Sequence, residues 1–246
     1  MTIKHFLIMV AAISQLYGQS AQAIDIEYPL LNPMETMLVR VNGSVTYASN
    51  LHYRGIDLSQ EDNVIEYSIS VDQAQLGRMA LWSTEINTPL FPTQSRYSSF
   101  SYSKDFKLTQ DIILGLGGSR YHLNSDTGED INYTEWNINV FYQHQFSWSI
   151  SFSDSPYGLE ASAWITQVEF THPLSARLDF RAGAIYSYLE NALAIPLNYA
   201  NYDVSLDYAL KNVLITTSYH RTTSSAKTLY GIHADNRFGI AISVGF

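Results

Sequence analysis

A chain of 246 residues accommodates one or two soluble domains or a single barrel, so length bounds the problem without deciding it. The absence of Cys excludes disulfides, thiolate catalysis and a lipid-modified cysteine in this chain. A formal net charge of -9, with no basic cluster, excludes a nucleic-acid partner, because phosphate binding requires clustered cations.

The first residues carry the three parts of a secretory signal. Lys4 and His5 precede the apolar stretch Phe6 to Ile13, and Ala21-Gln22-Ala23 supplies a small-x-small cleavage site. That apolar stretch is far shorter than the about 20 residues a spanning helix needs. The expected organisation is a signal peptide over 1–23, a periplasmic N-terminal segment over 24–36 and a barrel over 37–246.

Beyond Ile24 the dominant pattern is period-2 alternation, which in a strand sends successive side chains to opposite faces. Val39, Val41, Val45, Tyr47, Leu51 and Tyr53 alternate with Arg40, Asn42, Ser44, Thr46, Asn50 and His52, predicting one long strand. Ile65, Tyr67, Ile69 and Val71 alternate with Glu66, Ser68, Ser70 and Asp72; Trp136, Ile138, Val140 and Tyr142 alternate with Glu135, Asn137, Asn139 and Gln143. In the clearest stretch, 146 to 153, Phe146, Trp148, Ile150 and Phe152 interleave with four serines. Leu178, Phe180, Ala182 and Ala184 oppose Arg177, Asp179, Arg181 and Gly183, and Tyr202, Val204, Leu206 and Tyr208 oppose Asp203, Ser205 and Asp207. Weaker strands are expected near 78–86, 96–104, 110–121, 160–171 and 212–220, and the chain closes on 237–246.

The connections alternate in length. Those at 55–63, 87–95, 122–131, 189–201 and 221–236 are long, 154–159 is moderate, and the rest are short turns. All seven prolines, Pro29, Pro33, Pro89, Pro92, Pro156, Pro173 and Pro196, fall outside the proposed strands, as expected of a residue lacking the ladder donor. The pattern predicts an all-β fold: a transmembrane antiparallel up-and-down β-barrel of about twelve strands, with short periplasmic turns and longer outer loops.

Alternation alone does not distinguish lipid from water outside the barrel. Export, aromatics placed near strand ends (Trp82, Tyr142, Trp148, Trp164, Tyr188) and the final strand favour the bacterial outer membrane. In that strand Phe238, Ile240, Ile242, Val244 and Phe246 share one face. A terminal aromatic behind an apolar ladder resembles the signal read by the barrel-assembly machinery, with Phe246 as its key residue. The expected partners are that machinery, outer-membrane lipid and lipopolysaccharide.

Several short motifs carry a family resemblance. Val45-Thr46-Tyr47-Ala48-Ser49-Asn50 leads into Tyr53-Arg54-Gly55-Ile56 and then Ser59-Gln60. Asn132-Tyr133-Thr134-Glu135, Ser151-Phe152-Ser153-Asp154 with Tyr157-Gly158, and Ala234-Asp235-Asn236-Arg237 follow. Together they resemble the proteobacterial porin family called TorF across most of the mature chain. Asp57 and Leu58 depart from that pattern, since the family runs directly from Ile into Ser-Gln. The resemblance implies a pore and supplies no catalytic or substrate residues.

Catalytic chemistry is not expected. Ser218 and His220 lie two apart on one lumen face without an identified acid, and His233-Ala234-Asp235 reads as a solvated turn. Asp126, Glu129 and Asp130 lack EF-hand spacing and read as an acidic loop, leaving no cofactor or metal to expect. The lumen-lining set is Arg40, Glu66, Glu135, Glu169, Arg177, Asp179, Arg181, Asp203, Asp207 and Arg237, a mixture with a small negative excess. The expected function is passive passage of small polar solutes or ions with weak cation preference; the alternative is a non-conducting barrel with an enzymatic, adhesive or structural role. An epitope inserted at Ser225 should be bound by antibody on intact cells; binding only after permeabilisation would reverse the topology.

Overall fold

The computed structural model describes residues 39–54, 56–59, 62–88, 91–124, 131–154, 162–190, 197–224 and 234–246. The proposed signal peptide and N-terminal segment lie outside these residues, as do Asp126, Glu129, Asp130 and His233.

The strands run in chain order as β1 (Val39–Ala48), β2 (His52–Tyr53), β3 (Ile56–Asp57), β4 (Val64–Gln73), β5 (Gly77–Thr88), β6 (Phe91–Lys107) and β7 (Ile112–Asn124). They continue as β8 (Ile131–Tyr142), β9 (Phe146–Ser153), β10 (Ser162–Ser175), β11 (Leu178–Glu190), β12 (Leu197–Leu210), β13 (Val213–Thr222) and β14 (Arg237–Gly245). Twelve of them form a closed antiparallel barrel in which sequence neighbours pair and β14 returns to β1, while β2 and β3 form a separate two-stranded sheet.

The alternation sorts side chains to the two faces. Val41, Tyr67, Ile69, Leu81, Phe100, Ile138, Val204 and Ile242 are exposed on the outer face, and a contiguous apolar exterior of this kind marks a lipid-facing wall. Aromatics form belts on it. Trp136 pairs with Phe152, Phe152 with Trp164, and Trp164 with Tyr188, a row across four strands. Near the opposite end Tyr142, Phe146 and Phe170 are likewise in register.

Four expectations are corrected. The strand expected to run from Val39 through Tyr53 stops at Ala48 and bends at Ser49 and Asn50. The Ser49 amide donates to the Ile240 carbonyl at 2.9 Å and the Asn50 side-chain amide to the Phe238 carbonyl at 2.9 Å, so β14 captures the chain at that bend. Trp82 belongs to the inner face, because it pairs with Ser68 and Ser99 rather than with outward residues; it is 7% exposed. The connection expected over 87–95 is short, since β5 reaches Thr88 and β6 begins at Phe91. Pro92 and Pro173 therefore fall inside strands, near their ends, and Pro173 borders a register shift where a missing ladder donor is tolerated.

The barrel seam ends on Gly43 and Phe246. Gly43 and Phe246 exchange backbone hydrogen bonds of 2.8 and 2.9 Å, and the Phe246 ring lies where a Cβ on Gly43 would stand. Deleting Phe246 removes two bonds worth about 0.5–1.5 kcal/mol each and should lower the heat-modifiable, folded fraction. Gly43→Val, which displaces the ring but keeps the C-terminal residue, should lower it as well. Unchanged folded fractions in both variants would remove the seam from barrel closure.

Candidate functional site

The inner wall is built from small and charged polar residues. Register places Glu66 on β4, Glu135 on β8, Glu169 on β10, Asp179 and Arg181 on β11, Asp203 and Asp207 on β12, and Arg237 on β14 all on the inner face. Arg40 shares that face near the turn end, opposite Asp72. Arg177 does not: it lies exposed in the turn at 176–177, because β10 runs on to Ser175, through the turn expected over 172–176, and β11 begins only at Leu178.

Two ion pairs are buried within this wall. Arg181 donates through Nε and Nη2 to both Asp207 oxygens, and Thr216 adds a 2.6 Å bond to the same carboxylate. Arg54 pairs with Glu135 at 2.7 Å, with side chains only 3% and 5% exposed. Among the described residues Glu169 and Asp203 make no ion pair. They flank Gly183 in register, whose missing side chain leaves room for the Asp203 carboxylate. Glu66 accepts a 3.0 Å bond from the Trp82 indole.

Arg54 belongs to the first loop, which folds into the barrel. Leu51, Asp57, Leu58 and Ser59 are 0–3% exposed. The Leu58 amide donates to the Leu51 carbonyl at 2.9 Å, and the Asp57 carboxylate accepts from the Ser59 amide and hydroxyl at 2.9 and 2.8 Å. That side-chain turn closes the hairpin on itself. Around the ring, Arg54 reaches β8, five strands from β1 in one direction; His52 stacks on His220 of β13, two strands away in the other, with centroids 4.5 Å apart. The hairpin thus bridges opposite walls. His52 lies outside the barrel strands, and burial, with Arg237 adding, pushes its imidazole down to about 3, so it is neutral against its stacking partner.

The loop end of the interior is packed around its circumference. Ala48, Val64, Thr84, Tyr97, Leu123, Tyr133, Ser153, Ala163, Leu189, Tyr199 and Thr222, one from each of eleven strands, are all 1–5% exposed. Trp82, Tyr97, Tyr121 and Tyr133 form a continuous aromatic run across β5 to β8, with the closest rings 4.7 Å apart. At the turn end the inner face is open, with Arg40, Asn42 and Asp105 exposed.

Neither the inward loop nor the aromatic run was legible from alternation. The Tyr53-Arg54-Gly55-Ile56 motif marked the loop without giving its direction. Ser218 and His220 do meet, Oγ to Nε2 at 3.1 Å, but His220 Nδ1 has no hydrogen-bond partner among the described residues. Asp203, although opposite in register, does not complete a triad.

No family model matches the chain, and no curated protein sequence matches it. Solved structures do. The KdgM porin superposes with a TM-score of 0.52 at 8% identity, covering 85% of this chain and 99% of that one. An outer membrane channel from Pseudomonas putida F1 gives 0.53 at 9% identity, covering 90% and 98%. At such identities the likeness shows the fold, a closed twelve-strand barrel of the outer-membrane porin type; the TorF resemblance rests on its motifs alone.

The two ends of the Arg181–Asp207 pair should respond unequally. Arg181→Met leaves Asp207 buried while Glu169 and Asp203, which also act on Arg181, lose their cation; a loss of about 3–5 kcal/mol in unfolding free energy is expected. Asp207→Asn, which leaves those carboxylates beside Arg181, should cost less than Arg181→Met. Urea unfolding followed by Trp fluorescence measures both, and equal losses would contradict the shared-cation arrangement.

Proposed function

We propose that this chain is an outer-membrane porin that passes small polar solutes or ions passively, with a weak preference for cations. The observation that carries the reading is the division of one sheet into an apolar, aromatic-belted exterior and an interior of serines, amides and charges. A soluble barrel would invert that division. Export by the 1–23 segment, insertion by the barrel-assembly machinery through Phe246 and contact with lipid and lipopolysaccharide belong to the same proposal.

Cation preference follows from the charges that remain outside ion pairs. Glu169 and Asp203 sit beside Gly183 on the inner wall, Asp179 lies nearer the turn end, and Asp105 lines the open turn end. Confined carboxylates raise the local cation concentration, over a screening length of about 10 Å at 0.1 M salt.

The packed loop end supports a second reading, a non-conducting barrel with a structural, adhesive or enzymatic role. Purified protein in a planar bilayer under a KCl gradient separates the two. Channels whose reversal potential favours potassium, with selectivity fading at high salt, are expected. A potential favouring chloride would defeat the preference, and silence from verifiably folded protein would favour the second reading.

A further inference from the structure

We propose that the outer wall of β6, β7 and β8, at its loop end, carries a binding site for the phosphorylated sugar headgroup of lipopolysaccharide, with Arg120 as the phosphate ligand. The inference rests on the outer-membrane reading and names the place and the residues of the lipid contact.

Charge is sorted between the two faces of the barrel. Strand parity turns the carboxylates of β4, β8, β10 and β12 inward, so most of the acidic excess of the chain lies away from lipid. Of the outward carboxylates, Glu85 is tied to Arg96 at 3.0 Å and Glu190 accepts the Ser162 hydroxyl at 3.1 Å. Arg120 faces outward between Phe100 and Thr134, and among the described residues it makes no ion pair. A guanidinium on a lipid-facing wall is costly at mid-bilayer and tolerated where headgroups begin.

The neighbours of Arg120 form a donor set. In register, Ser98, His122 and Asn132 make one outward row, and Phe100, Arg120 and Thr134 make the next. Arg120 Nη1 donates to the Thr134 hydroxyl at 3.0 Å, which lays the guanidinium along the wall, and His122 Nδ1 lies 2.7 Å from the Asn132 side-chain oxygen. Neither row contains a carboxylate. A guanidinium flanked by hydroxyl, amide and imidazole suits phosphate, whose oxygens take charge-assisted bonds from the planar fork of Arg.

The row on the turn side of these donors is Tyr102, Gly118 and Trp136. A Cβ on Gly118 would stand 2.9 Å from the Trp136 ring, so only glycine lets that ring lie against the strand, where it is still 64% exposed. Polar donors thus sit on the loop side of an aromatic and apolar surface. A phosphorylated sugar and its acyl chains meet the wall in that same order. Arg221, six strands around the ring, also faces outward, but its register partner is Tyr202 alone.

The test uses folded, heat-modifiable protein, freed of lipid in detergent and titrated with bisphosphorylated lipid A, with binding read by native mass spectrometry. Arg120→Ala should weaken binding about tenfold and Arg120→Lys less, while Arg221→Ala leaves it unchanged. Lipid A stripped of its phosphates should bind the wild type no better than intact lipid A binds Arg120→Ala. Because Arg120 faces away from the lumen, Arg120→Ala should keep wild-type conductance in planar bilayers. Equal weakening by Arg120→Ala and Arg221→Ala would reduce the contact to diffuse attraction and overturn the site. Competition from phosphatidylglycerol or inorganic phosphate as strong as that from lipid A would overturn the assignment to lipopolysaccharide. A wild type that conducts without binding lipid A removes the site and leaves the pore standing. One that neither inserts into bilayers nor binds lipid A removes the outer-membrane reading as well.

Discussion

The constraint on which the structure depends is that no strand edge can be left open in hydrocarbon. Each unpaired backbone group there costs several kcal/mol, so a sheet must close on itself. Here closure falls on β1 and β14, whose pairing runs from Ala48 opposite Ala241 to Ser44 opposite Gly245 and ends on the reciprocal Gly43 and Phe246 bonds. Phe246 is therefore structural as well as a candidate assembly signal. Its ring occupies space that only glycine at position 43 concedes.

Closure also fixes what the interior must solve. Twelve strands enclose a volume that side chains and one loop can largely fill. The serines of β9, at 147, 149, 151 and 153, are small enough to leave that volume to other groups. The space is taken by the hairpin, by the Trp82–Tyr133 aromatic run and by two buried ion pairs. Charges removed from water this far must be paired or hydrogen-bonded, and Arg54 and Arg181 meet that demand by taking Glu135 and Asp207.

Period-2 alternation was enough to read the barrel, its strand count and the inward side of most charged residues, because face assignment depends only on parity within a strand. It failed where parity is reset. Leu51 and Tyr53 continue the phase of Val39 to Tyr47 in sequence, but the Ser49–Asn50 bend detaches them, and Leu51 is 3% exposed rather than lipid-facing. Trp82 was misplaced for a related reason: proximity to a strand end suggested a membrane interface, whereas Met79 and Leu81 set a phase that turns position 82 inward. Arg177 shows the same limit at a turn. The partner of Arg54 lies 81 positions along the chain, and no local pattern encodes such a contact.

The charged tip of the first loop is buried only because it is paired. In a packed lumen the Arg54–Glu135 contact is dry, and its attraction is strong but offset by the lost hydration of both groups. In a water-filled lumen the two charges are screened and hydrated, and separating them costs about 1 kcal/mol. The same reasoning separates this pair from Arg181–Asp207, which joins neighbouring strands β11 and β12 and adds Thr216 on β13. That second pair braces adjacent staves of the wall, so its loss is felt directly as stability of the barrel.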